Sequence, residues 1–106
     1  MYVVIFRAKV RQLDEEYVQT VTRLRELALS EFGCLEFQAI SEGEDEVALS
    51  YWSDLESIRA WKQQAAHLIA QRLGQERWYR SYRVEVAEIQ HHYSWEQTWE
   101  ERDGTA

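Results

Sequence analysis

The first strand leaves a chain of this length few ways to fold. Residues 2–10 are β-branched and aromatic, with Val4, Phe6, Ala8 and Val10 on one face. The other face begins with Val3 and Ile5 and turns basic only at Arg7 and Lys9. A strand that is apolar on both faces for half its length asks for cover on both sides of its sheet. The third strand repeats the demand, with Leu49 and Tyr51 on one side and Ala48 and Trp52 on the other.

The rest of the chain supplies cover for one of those sides. Asp14 is placed to cap a helix, with Glu15 and Glu16 favourable in its first turn. Val18, Val21, Leu24, Ala28 and Phe32 then recur at helical spacing, and Gly33 offers a left-handed stop. Residues 34–41 alternate as a half-buried strand, Gly43 sits in an acidic turn, and residues 46–52 form the partner strand of a hairpin. Ser53 and Glu56 read as a capping box for a second helix, whose stripe is Leu55, Ile58, Trp61, Ala65 and Leu68 and whose stop is Gly74. A break around 63–66 is compatible with this stripe, although no Pro or Gly marks one. Residues 80–93 alternate as a fourth strand.

The order β-α-β-β-α-β is that of an α+β, ferredoxin-like domain with a four-stranded antiparallel sheet and both helices on one face. The bare face is then expected to meet a second copy of itself, giving a homodimer through the sheet faces. The domain is expected to occupy residues 1–95. Residues 96–106 form an acidic tail, in which Trp95, at the boundary, and Trp99 stand one helical turn apart and could dock an apolar edge.

Composition excludes several classes of partner. A net charge of −7 lacks the basic face that nucleic acid requires. No apolar run approaches the ~18 residues of a membrane span, and the N-terminus lacks a signal-peptide layout. Cytoplasmic residence is the default expectation. The single cysteine, Cys34, forms no intramolecular disulfide, and His91 and His92, adjacent on a strand, would point to opposite faces. No metal site is expected. The acidic run Glu42–Glu46 reads as a solvated turn.

From Ser50 to Tyr82 the chain concentrates its bulky aromatics around the space between the sheet and its second helix. The strand end Tyr51 and Trp52, Trp61 on the helix, His67, Gly74 and the block Trp78, Tyr79 and Tyr82, with Gly33 before the second strand, resemble the antibiotic biosynthesis monooxygenase family over about residues 2–93. The resemblance implies a ferredoxin-like protomer, a dimer through the sheets that makes a dimeric α+β barrel, and a pocket between sheet and helices. Some members of that family oxygenate aromatic polyketides without metal or flavin, and some degrade haem.

A cofactor-independent monooxygenase acting on a small aromatic or quinol-type molecule is the first expectation. Such a site needs aromatic walls, exclusion of water and one proton acceptor. Trp61, Trp52, Tyr51, Trp78 and Phe6 are candidate walls. His67 is the candidate general base, since only histidine titrates near neutrality unperturbed. Arg83 or Arg7 could hold a developing enolate or phenolate oxygen. Ser57 occupies the position, one turn before the tryptophan, where oxygenase relatives can place an asparagine. No cofactor is expected.

Each residue also has an ordinary reading. Trp61 lies in a core stripe, and on an unbroken helix His67 would fall ~120° away from it. Arg7, Lys9 and Arg83 can pair with Glu36 and Glu85 across strands. Haem-degrading relatives carry a first-strand asparagine, whereas this chain contains no asparagine at all. Two other classes therefore stay open. One is a non-catalytic dimeric binding protein for a hydrophobic small molecule, haem included, in stress response. The other is a pocket filled by its own aromatics, with function carried by the dimer surface.

Overall fold

In the computed structural model, which describes residues 1–97, the elements follow the expected order with one addition. Strand β1 spans Tyr2–Val10, helix α1 Glu15–Glu31, β2 Glu36–Glu42 and β3 Asp45–Trp52. Helices α2 (Leu55–Gln63) and α3 (Ala65–Leu73) follow, then one π-helical turn at Gly74–Trp78, and β4 closes the sheet at Tyr79–Glu88. The strand order is β2-β3-β1-β4, and every neighbouring pair is antiparallel. This is the ferredoxin-like α+β fold. The residues from 98 onward, Trp99 among them, lie outside the described part, and Trp95 is exposed.

Register assigns the two faces. Val4 stands opposite Ser50 and Val86, and Phe6 opposite Ala48 and Val84, so the even-numbered residues of β1, β3 and β4 share the helix-covered side. There Val4, Ala28, Cys34, Trp52, Ile58 and Trp61 form the main buried cluster. The opposite side carries Val3, Ile5, Val47, Leu49 and Tyr51, flanked by the Arg7–Glu85 and Lys9–Asp45 ion pairs. Among the described residues no helix is long and apolar enough to cross a membrane.

Local chemistry explains the element boundaries. Asp14 caps α1, its Oδ1 accepting the Tyr17 N–H at 2.8 Å. Gly33 has φ +82° just past the helix and Gly43 has φ +60° in the hairpin turn, both left-handed positions. In α1 the buried residues are Tyr17, Leu27 and Ala28, while Val18 is exposed. Val21, Leu24 and Phe32 of the expected stripe are half-buried on this face, and only Val18 gives way, to its larger neighbour Tyr17.

Several other expectations need correction. Asp54, not Ser53, caps α2, its Oδ1 accepting the Ser57 N–H at 2.7 Å. A carboxylate suits the positive end of a helix better than a hydroxyl. The Asp54 carboxyl is held below its ordinary pKa by that backbone bond. The second helix does break: Gln64 is extended at φ −66°, ψ 142°, and its Oε1 accepts the Ala66 N–H at 2.6 Å, so it starts a new helix without Gly or Pro. The break turns Leu68 outward. Gly74 is right-handed at φ −58°, so it is no left-handed stop. It provides room instead, since a Cβ there would lie 3.0 Å from the Tyr79 ring. Strand β4 ends at Glu88, leaving His91 and His92 exposed beyond it.

Candidate functional site

A cavity of about 510 Å³ opens between the helix-covered side of the sheet and helices α1 and α3. Five residues singled out from sequence line it: Phe6, Trp61, His67 and Trp78, with Arg83 at its border. The break at Gln64 is what brings His67 there. The new helix carries the imidazole back over the Trp61 ring, edge to face, with ring centroids 4.7 Å apart. Trp61 is itself fixed on three sides. Its Nε1 donates to the Leu24 carbonyl at 3.2 Å, and its ring packs against Trp52 at 5.3 Å and Phe37 at 6.3 Å.

Three other candidates, Trp52, Tyr51 and Ser57, stand elsewhere. Trp52 is fully buried behind Trp61, where its Nε1 donates to Ser50 Oγ at 2.9 Å; it supports the wall without being part of it. Tyr51 lies on the uncovered side of the sheet, opposite Val3, because side chains alternate along β3. Ser57 sits in the first turn of α2, beside Gly33 and away from the cavity. Arg83 borders the cavity, but it stands opposite Arg7 in the register and its Nε lies 3.5 Å from Glu85 Oε1 on the uncovered side.

A second aromatic group lines the cavity toward the β1–β4 end. Tyr17 meets Trp78 edge to face at 5.2 Å, and Phe6 packs against Tyr79 at 5.3 Å and Tyr82 at 5.6 Å. Trp78 Nε1 donates to Asp14 Oδ1 at 3.1 Å, so the cap of α1 also holds this ring. The Tyr17 hydroxyl donates to Glu46 Oε1. Glu46 is only 7% exposed, which overturns its placement in a solvated turn. Alternation from Trp52 through Ser50 and Ala48 to Glu46 would have revealed it; the surrounding run of acids concealed it.

The electrostatics of the cavity follow from burial. The His67 pKa is lowered chiefly by loss of water and further by the positive charge of Lys62, so its imidazole is neutral at pH 7. The Tyr17 and Tyr79 hydroxyls are pushed up, first by burial and then by Glu46, and both remain proton donors. Two polar atoms are buried without a hydrogen-bond partner among the described residues, His67 Nδ1 and Glu46 Oε2. Cys34 is buried in the main cluster, its pKa raised by desolvation, and takes no part in the cavity. Among the described residues no three His, Cys, Asp or Glu side chains converge as metal ligands. Chemically, the site can enclose a flat apolar ring and present one neutral base to it.

Comparison with known proteins places these features in context. The family model described as antibiotic biosynthesis monooxygenase matches residues 1–73, which include Phe6, Tyr17, Glu46, Trp61 and His67. A Bacillus subtilis (strain 168) protein, the uncharacterized YqjZ, is 32% identical over 89 residues, covering 83% of this chain and 78% of its own length. SnoaB, a cofactor-independent oxygenase from Streptomyces nogalater, shares the fold with a TM-score of 0.71 at 13% identity, over 86% of this chain and 94% of that one. Rv0793 from Mycobacterium tuberculosis does so with a TM-score of 0.73 at 16% identity, over 88% of this chain and 98% of that one.

Proposed function

Since the chain belongs to the antibiotic biosynthesis monooxygenase family, we propose that it is a cofactor-independent monooxygenase acting on a small aromatic or quinol-type substrate in the cavity beside Trp61 and His67. The observation that carries this reading is the neutral, half-buried imidazole whose buried Nδ1 has no partner inside an aromatic-walled cavity. A histidine serving only the core would be hydrogen-bonded, because a buried polar atom left unpaired costs ~1–3 kcal/mol. A ligand hydroxyl can remove that cost. The cavity volume falls within the roughly 300–1,000 Å³ of small-molecule sites.

In this reading a flat ring lies between the Trp61 wall and the Phe6–Tyr82 group, with an acidic C–H or O–H toward His67. His67 takes that proton, and the resulting anion gives one electron to dioxygen, forming a substrate radical and superoxide. Their recombination makes a C–O bond. The peroxide then loses water, so an activated CH₂ becomes C=O, one oxygen atom stays in the product and the other leaves as water. The substrate supplies all the electrons. The protein contributes orientation, a dry cavity and the proton acceptor.

The same reading includes a two-fold dimer. Val3, Ile5, Val47, Leu49 and Tyr51 present a mostly apolar strip on the uncovered side of the sheet, and a second copy set against it removes that strip from water.

One observation favours a second reading. Ser57 stands away from the cavity and the Arg83 guanidinium is engaged by Glu85, so neither stands beside His67 as a second catalytic group. That suits a non-catalytic binding protein for a hydrophobic molecule. Oxygen uptake with an anthrone-type substrate separates the two. Wild-type protein is expected to accelerate uptake above buffer, and His67→Ala to suppress it at least tenfold, as loss of a general base does, with native far-UV and near-UV spectra. Ligand binding without accelerated uptake would favour the second reading.

A further inference from the structure

Glu46 poses a question that the role of His67 leaves unanswered. Its carboxylate is buried at the hairpin end of β3, opposite Ala8, and lines the same cavity. Oε1 receives the Tyr17 hydroxyl, which accounts for one oxygen. Oε2 receives nothing. Among the described residues no lysine or arginine pairs with Glu46; Lys9, one position along from its strand partner, is taken by Asp45 at 2.5 Å. Holding Tyr17 in place explains half of this side chain, and the other half is an acceptor without a donor.

The position of Glu46 separates it from His67. The imidazole belongs to the Trp61–Trp52–Phe37 group, and Trp52 stands opposite Tyr2. The carboxylate belongs to the Tyr17–Tyr79–Trp78 group, six residues back from Trp52 along the same face of β3. Two polar atoms without partners thus border one apolar space at different points.

We propose that Glu46 is a second anchor of the cavity, where it accepts a hydrogen bond from a hydroxyl or N–H that a bound aromatic carries away from the group meeting His67. The ligand class that satisfies both atoms is a flat aromatic with two well-separated donors. Glu46 then acts as a specificity-determining residue: an aromatic with a single donor leaves one buried acceptor unpaired. This inference rests on the cavity being the ligand site.

Calorimetric titration of the full-length protein with 2-naphthol and with 2,6- and 2,7-dihydroxynaphthalene tests it. Wild-type protein is expected to bind the better diol about tenfold more tightly than the mono-ol, the scale of one hydrogen bond to a charged acceptor. Glu46→Gln should shrink that preference to about twofold. Glu46→Asp, which withdraws the carboxylate but keeps its charge, should lose the preference too, and serves if the first variant does not fold. Tyr17→Phe should retain it. A wild-type protein that binds all three alike, or Glu46 variants that keep the preference, would overturn the role of Glu46 alone. Failure of every naphthol to bind would overturn the pocket reading and this inference with it.

Discussion

His67 is a residue whose environment reverses its ordinary behaviour. An unfolded histidine takes up a proton as pH falls through about 6.5, whereas burial and Lys62 hold folded His67 neutral to lower pH. Between those two values the unfolded chain binds more protons, so stability declines as pH falls through that window and levels off only below the folded value. His67→Gln removes this contribution. Its melting temperature should therefore fall less than that of the wild type between pH 7 and 5, and equal slopes would show that the imidazole is not shielded. Sequence alone made His67 a candidate through its chemistry, but on an unbroken helix the same residue pointed away from Trp61. Glu46 and Tyr17 were harder to see. A carboxylate inside an acidic run gives no outward sign of burial, and a tyrosine in the first turn of a helix gives none of a partner 29 residues away.

At the scale of elements, apolar periodicity was sufficient for four strands and two helical segments, because each covers one face of a common layer. The boundaries required side-chain chemistry that periodicity does not carry. The α2–α3 break is made by the Gln64 side chain on the Ala66 N–H, a cap that apolar spacing does not announce. The π-helical turn depends on Gly74 lying against the Tyr79 ring. In an ordinary helix Gly→Ala gains roughly 0.5–1 kcal/mol. Here the added methyl at 3.0 Å must displace an aromatic wall of the cavity, and overpacking of that kind costs about 1–3 kcal/mol. Gly74→Ala is expected to lower stability by about 1 kcal/mol and to weaken binding of any aromatic in the cavity. Chemical denaturation checks the first expectation, and a more stable variant would contradict the close approach.

At the scale of the whole molecule, the ferredoxin-like order was legible because the two-sided apolar character of β1 left few other arrangements. The uncovered strip of Val3, Ile5, Leu49 and Tyr51 is the remainder of that same constraint. Light scattering should give twice the 12.7 kDa chain mass, and Leu49→Asp, which buries a charge in the proposed contact, should give the single mass with a reduced melting temperature. A wild-type monomer at micromolar concentration would remove the dimer. The chemistry of the proposed site rests on one atom, His67 Nδ1. Long-range proton–nitrogen NMR of the three imidazoles, recorded at pH 7 while a phenolic ligand is added, observes it directly. The account predicts a neutral His67 ring whose Nδ1 resonance moves with ligand while His91 and His92 stay fixed. A His67 signal that is already protonated, or that ignores a ligand shown to bind, would contradict it.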